Sequence, residues 1–367
     1  MRYRRLLALA GATFGVYLLE LGGEDDAFAA REAASACSDV QPLAPGLATA
    51  RGITDRVRGL AYTHAASELV GTTEGGIDAA VTLLETASLD RTGTVAVRAR
   101  DVQATADVST QRAERELGGV LVDRGFAVDL EDPDHVLRAL FAAGARAEHD
   151  AVAGADGGDA DCCALGWVAV EADRDFAPDP TDRPFFQPGS MAPADARAYA
   201  NLAGAAPGRT LLDPMCGTGG LPLEAGLVGA DAVACDAQAK MVRGARENLR
   251  EYLDGDGSPA WHVARGDATA LPLADDAVDG VAFDAPYGRQ SKIARHELAD
   301  LVAGALDEAA RVAPRAVLVA DRDWRGPARR AGWTVDAAFE RRVHRSLTRH
   351  VLVLRRGDSA PARPDRE

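Results

Sequence analysis

Apolar and polar positions follow two different patterns, one on each side of a proline-rich stretch near residue 180. Beyond it, short apolar runs alternate with segments of helical period. The spacing predicts a helix over Pro193–Leu202, a strand over Leu211–Asp213 and a helix over Leu221–Val228. Strand Ala232–Asp236, helix Ala239–Leu253 and strands Trp261–Arg265 and Val278–Asp284 follow. Helix Leu298–Val312, strand Ala316–Ala320 and helix Arg325–Ala331 complete the series. Regular βα alternation specifies a parallel sheet with right-handed crossovers. Two closing runs, Val335–Arg342 and Ser346–Leu354, have no helix between them and predict an antiparallel hairpin at one edge.

Before the proline-rich stretch the order is less regular. Val16–Leu21 alternates like a strand, and Glu24-Asp25-Asp26 opens a helix over Asp26–Ala36. Leu43–Ile53 and Leu60–Ala61 read as strand pieces, Ile77–Ala87 as a helix and Thr94–Val102 as a strand. Ser109–Arg124 is amphipathic, with Ala113, Leu117, Val120 and Leu121 on one face. Phe126–Asp129, a turn at Asp132-Pro133, Val136–Phe141, an acidic glycine-rich loop over Asp156–Asp161 and a strand at Leu165–Glu171 complete this part. Such an order indicates an α+β domain. Asp173–Pro184, carrying Pro178, Pro180 and Pro184, reads as a stiff exposed linker and the main boundary, and residues 358–367 as a disordered polar tail.

A length of 367 residues allows two or three domains. The formal charge is −15, and the lysines are Lys240 and Lys292 alone. An acidic, lysine-poor surface suits a protein that must stay soluble in strong salt, which suggests a halophilic source. In strong salt phosphate attraction is screened, so net charge does not decide for or against a nucleic-acid partner. Five cysteines without a Cys-x-x-Cys pair, and no histidine spacing of metal-ligand type, point to a reducing, cytoplasmic setting without a metal. Cys162-Cys163 fits strand packing. Arg2, Arg4 and Arg5 followed by Leu6–Leu21 imitate a signal peptide, but the run is too short to span a membrane. Residues 1–15 are read as an N-terminal extension, with the functional chain starting near Val16.

Two stretches carry the chemistry. Leu211-Leu-Asp-Pro-Met-Cys-Gly-Thr-Gly-Gly220 is strand, tight turn and helix start, where backbone N–H groups can approach a nucleotide-like ligand. A Gly-x-Gly is also an ordinary strand-to-helix turn. What favours a nucleoside-type cofactor is Asp236, placed at the end of the next apolar run, where a carboxylate can hold ribose hydroxyls. Asp284-Ala-Pro-Tyr287 stands at the carboxyl end of the fourth strand, beside the glycine loop. An exocyclic amine on a nucleobase is a poor nucleophile because its lone pair is delocalised into the ring. A carboxylate and a proline-held main-chain carbonyl can accept its two N–H bonds and turn the lone pair towards an electrophile. The Tyr287 ring would stack on the base, worth roughly 1–3 kcal/mol. Gly266-Asp267-Ala268 is by itself little more than a turn signal.

With these residues in view, the second half resembles a class I S-adenosylmethionine-dependent methyltransferase of the amino-methylating kind, through Asp213-Pro-Met-Cys-Gly-Thr-Gly219 and Asp284-Ala-Pro-Tyr287. The first half resembles a THUMP domain preceded by a ferredoxin-like subdomain, through Val108–Leu117 and Asp123–Leu130. With Arg183–Met191 and Val343–Arg349, the order is similar to the archaeal tRNA (guanine(10)-N2)-methyltransferase family. The resemblance implies a Rossmann-like seven-stranded methyltransferase domain over 185–357, after a ferredoxin-like region over 16–60, a THUMP region over 61–172 and a linker over 173–184. It implies S-adenosylmethionine as cofactor, held by Asp213, Cys216, Gly217, Thr218, Gly219, Asp236, Ala237, Asp267 and Ala268. Catalytic contacts would come from Asp284, Ala285, Pro286 and Tyr287. Ala285 stands where the family usually has proline; the acceptor there is a backbone carbonyl, so activity should survive.

The implied partner is tRNA, gripped by THUMP while a guanine turns out of its helix; a monomer is the default. Arg341, Arg342, Arg345 and Arg349 would meet phosphates or form a solvated hairpin face, with nothing in the pattern favouring either, and Arg289 is a better candidate for RNA contact. Two rival readings are a THUMP methyltransferase for another tRNA or rRNA guanine and a non-catalytic RNA-binding subunit with a vestigial fold.

Overall fold

The structure, a computed structural model, describes residues 15–143, 162–286, 295–344 and 347–357. The extension, the Asp156–Asp161 loop, Tyr287, Arg289, Arg345 and the polar tail therefore lie outside the described residues. The chain divides into two compact units, Met1–Asp173 and Arg174–Glu367.

Unit 1 contains β1 (Tyr17–Leu21), α1 (Asp26–Ala33), β2 (Cys37–Ser38), β3 (Gln41–Ala44), β4 (Leu47–Ala50), β5 (Gly52–Ile53) and β6 (Thr63–Glu74). It continues with α2 (Ile77–Thr86), β7 (Thr94–Asp101), α3 (Thr110–Asp123), β8 (Ala127–Val128), β9 (His135–Ala142) and β10 (Cys162–Glu171). Eight strands form one mixed sheet in the order β3-β4-β1-β6-β10-β9-β7-β8. The amphipathic reading of α3 holds: Ala113, Leu117 and Leu121 are buried against α2 and the sheet. Its start is set by Ser109, whose hydroxyl accepts from the Arg112 N–H.

β1 is the strand expected near Val16, but both of its faces are buried: one packs under α1 with Leu19 and Leu21, the other against Leu47 and Leu140 with Leu18. Leu60–Ala61, expected as a strand piece, is not a strand. The buried Glu32 carboxylate accepts the N–H groups of Ala61 (2.8 Å) and Tyr62 (2.8 Å), fixing a corner from which the unforeseen β6 departs.

Unit 2 contains α4 (Pro193–Ala203), β11 (Thr210–Asp213), α5 (Gly220–Leu227), β12 (Asp231–Asp236), α6 (Ala239–Leu253), β13 (Trp261–Arg265) and β14 (Gly280–Asp284). Then come α7 (Arg295–Val312), β15 (Arg315–Ala320), α8 (Arg325–Arg330), β16 (Trp333–His344) and β17 (Leu347–Arg356). The seven-stranded sheet runs β13-β12-β11-β14-β15-β17-β16. Its first five strands are parallel, whereas β17 is antiparallel to both β15 and β16. The chain reverses between β11 and β14, at the centre of the parallel part, where open α/β sheets leave a crevice at the carboxyl ends. The last strand lies inside and β16 forms the edge, so the start of β17 also reaches that carboxyl end.

The segment expected as an exposed linker is partly packed against unit 2. Buried Glu224 of α5 accepts from the Ala177 N–H (2.9 Å) and from Arg197 Nε of α4 (2.7 Å), and the Arg197 guanidinium lies over the Phe176 ring. Arg183 is buried as well. A charge pair this deep must be complete, since removing one partner strands the other at a cost of about 3–5 kcal/mol.

Candidate active site

β11 is apolar and buried up to Asp213, whose carboxylate ends the strand inside the protein. Asp213 Oδ1 accepts from the Met215 N–H (3.0 Å), which turns the chain at once. Gly217 (φ +52°) and Gly219 (φ +83°) then occupy the left-handed region, and Gly219 caps α5. The two glycines face different surroundings. A Cβ on Gly219 would lie 2.8 Å from Leu249 Cδ1 and 3.2 Å from Ala245 Cβ, so the loop presses on α6. Among the described residues, a Cβ on Gly217 would meet no atom within 4 Å.

The loop is held from two sides. Asp236, ending β12, accepts from the Gly217 N–H (3.0 Å) and the Gln238 N–H (2.8 Å). Buried Asn248 of α6 donates to the carbonyls of Thr218 (2.9 Å) and Phe185 (2.9 Å) and accepts from the Phe185 N–H (2.9 Å). One amide thereby ties the glycine loop to the segment after Arg183. Ser190 Oγ lies 3.1 Å from Thr218 Oγ1, a second tie between the same two segments.

Between them lies a cavity of about 190 Å³, lined by Asp213, Met215–Thr218, Gly220, Leu221, Gln187–Met191, Met241 and Asp284. The glycine loop and the acidic end of β14 therefore border one space. Burial pushes the Asp213 carboxyl well above the usual range; the Met215 N–H opposes this, while the nearby charges of Asp236 and Asp284 add to it. Burial also raises Asp236, against the two N–H groups it accepts. Converging carboxylates beside the apolar Met215, Leu221 and Met241 make a site that favours a cation carried on an apolar frame.

Among the expected cofactor residues, Asp213, Cys216, Gly217 and Thr218 line this cavity. Gly219 shapes the loop through its packing on α6. Asp236 supports the loop through two hydrogen bonds, and Ala237 is exposed just beyond it. Asp267 and Ala268 follow β13, two strands away from β11; Asp267 is exposed and binds Thr269, while Ala268 is buried. In the catalytic group, Asp284 reaches the cavity and Ala285 is pinned by its N–H to the Val319 carbonyl (2.8 Å).

The arginines of the hairpin are not a solvated phosphate-binding face as a set. Arg349 is buried and Arg341 half-buried: Arg341 Nη2 lies 3.0 Å from Asp195 Oδ1, and Arg349 lies 3.6 Å from Asp195 Oδ2 and 3.8 Å from Asp284 Oδ2. Arg342 is exposed. The sequence reading also missed the walls at Gln187–Met191, Leu221 and Met241. For Arg349 a signal existed, since period-two alternation puts it in line with the buried Val351 and Val353.

A match to the RMKL-like methyltransferase domain covers residues 180–350. The tRNA (guanine(10)-N2)-dimethyltransferase of Methanothermobacter thermautotrophicus is 32% identical over 306 residues, 81% of this chain and 83% of that protein. The chain belongs to the archaeal tRNA (guanine(10)-N2)-dimethyltransferase family. A second member, from Pyrococcus abyssi, is 29% identical over 71% of this chain and 74% of its own. Among solved structures, TrmN from Thermus thermophilus aligns over 93% of this chain and 99% of its own at 21% identity, with a TM-score of 0.47, too low to bear on fold or function. The seven-stranded unit is thus a Rossmann-like methyltransferase domain, which uses S-adenosylmethionine. The residues present fit that cofactor, because the open face of Gly217 leaves room where any side chain would intrude and the carboxylates suit a sulfonium.

Proposed function

We propose that this enzyme methylates the exocyclic N2 amine of guanine 10 in tRNA, up to the dimethylated product named for its relatives. The observation that carries the proposal is the shared cavity, with the glycine loop on one wall and Asp284 on another. Bound there, S-adenosylmethionine supplies an electrophilic methyl on a sulfonium. Asp213 and the Cys216–Thr218 backbone form the cofactor side, with Asp236 and Asn248 keeping the loop in shape. Asp267 and Ala268 serve the adenine end. Asp284 and the Ala285 carbonyl accept the two amine N–H bonds and aim the nitrogen lone pair at the methyl. Tyr287 stacks on the base. The chain contributes orientation and polarisation, and the departing proton goes to water.

Unit 1 serves as the RNA grip, with a ferredoxin-like part over 16–60 and a THUMP part over 61–172. Among the described residues no helix is long and apolar enough to cross a membrane. The acidic, lysine-poor composition fits a cytoplasm of high salt.

The test is incubation of the full chain in high salt with methyl-labelled cofactor and unmodified tRNA, followed by nucleoside analysis. N2-methylated and N2,N2-dimethylated guanosine mapping to position 10 is the expected product. Label on another nucleoside would refute the assigned target. Calorimetry showing no cofactor binding would favour a non-catalytic RNA-binding subunit.

A further inference from the structure

We propose that Arg349 is a positioning residue for Asp284, acting through a partly buried chain of alternating charges that runs Arg341, Asp195, Arg349, Asp284. The inference rests on the reading above, in which Asp284 accepts the amine N–H bonds.

Strand register creates the arrangement. Asp284 pairs with Val319 and Val319 with Val351, so the three side chains share one face of the sheet. Arg349 lies two residues before Val351 and is paired with Arg341 on β16, which puts both arginines on that face. Because β17 runs antiparallel to β15, its first residues overhang the carboxyl end of the parallel strands, beside Asp284. α4 contributes Asp195 from its first turn. That carboxylate takes Arg341 on one oxygen at 3.0 Å and Arg349 on the other at 3.6 Å.

Charge decides the rest. Arg349 is 3% exposed, and a guanidinium so deep must be compensated. Asp195 serves two arginines, and Asp284, with Oδ2 3.8 Å from Arg349 Nη2, sets a second carboxylate beside the same guanidinium. Arg349 thus sets a fixed positive charge beside the Asp284 carboxyl, whose oxygens are the acceptors the amine requires. A separation of 3.8 Å is beyond a good hydrogen bond. The guanidinium therefore aims the carboxylate by charge rather than by a tight bond to it. Burial also removes Arg349 from contact with RNA phosphate.

The test compares Arg349→Met, Arg349→Lys and wild type in steady-state methylation of tRNA, with cofactor affinity measured separately by calorimetry. Arg349→Met should lower kcat roughly 10²-fold, the scale on which a misplaced catalytic group acts. KM for tRNA and the Kd for S-adenosylmethionine should stay near wild type. Arg349→Lys, which keeps the charge but not the planar reach to both carboxylates, should give an intermediate kcat. A wild-type kcat in Arg349→Met overturns the proposal. So does a raised KM for tRNA at unchanged kcat, which would mark a phosphate contact. Should Arg349→Met not fold, Arg349→Lys decides alone: a lower kcat at unchanged KM supports the role, and a wild-type kcat overturns it. Failure of the wild type to methylate guanine N2 would instead sink the functional reading.

Discussion

Replacing Gly217 and Gly219 one at a time by alanine separates a ligand cradle from a packing contact. Both residues sit at positive φ, +52° and +83°, where an L side chain costs about 1–2 kcal/mol. At Gly217 no packing cost is added among the described residues, where the methyl meets no atom within 4 Å. In a domain of this size the backbone cost corresponds to a fall in Tm of roughly 2–8 °C, at about 2–4 °C per kcal/mol. At Gly219 the methyl also presses on Leu249 and on the Ala245 backbone at 2.8 and 3.3 Å. Overpacking of that kind adds roughly 1–3 kcal/mol, so Gly219→Ala should melt clearly lower than Gly217→Ala. Binding should rank the other way for its size: Gly217→Ala puts a methyl into the cavity and should weaken S-adenosylmethionine at least about tenfold, or 1.4 kcal/mol. Scanning fluorimetry of the free proteins and titration calorimetry with the cofactor read the two effects independently. Wild-type affinity in a folded Gly217→Ala would refute the idea that the loop backbone lies against the ligand.

Asn248→Ala removes three hydrogen bonds, one of them fully buried, at a net cost of roughly 1 kcal/mol each, and should lower both Tm and cofactor affinity, because the Thr218 carbonyl and Phe185 lose a common anchor. Asp213→Asn tests the raised carboxyl. A group whose pKa is raised by folding gives its stabilisation below the unfolded value near 4 and loses it as pH climbs through the folded value. The asparagine variant should therefore match wild type in acid and gain on it towards neutral pH and above in pH-dependent melting. It should also bind the sulfonium cofactor more weakly; a stability difference that grows on acidification would contradict the burial argument.

The methyltransferase unit was legible because its parallel strands read as plain apolar runs, as in β11, β12 and β15, each followed by a helix, of which α6 shows the clear amphipathic period. The glycine loop and Asp284 were legible for a related reason: each is local, with its chemistry written within a few residues. β6 escaped notice because Thr63–Glu74 mixes His64, Glu68 and the two threonines Thr72 and Thr73 with small residues, and Gly71 interrupts it. Its strand state comes from pairing with β1 and β10 on either side, which no short window contains. The proline-rich segment misled for a similar reason. Composition marks it as exposed, yet Ala177 and Arg183 are buried in unit 2 by partners far along the chain, Glu224 among them. Arg349 was half legible: period-two alternation with Val351 and Val353 marks it as inward-facing, but only the strand register places it beside Asp284.

The central claim is that Asp284 orients the target amine across the cavity from the glycine loop. Single-turnover methyl transfer by Asp284→Ala, with cofactor and tRNA binding measured on the same preparation, tests it most directly. The account predicts both affinities close to wild type and a transfer rate lower by roughly 10²-fold or more. A variant that binds both ligands and still transfers the methyl at the wild-type rate would contradict it.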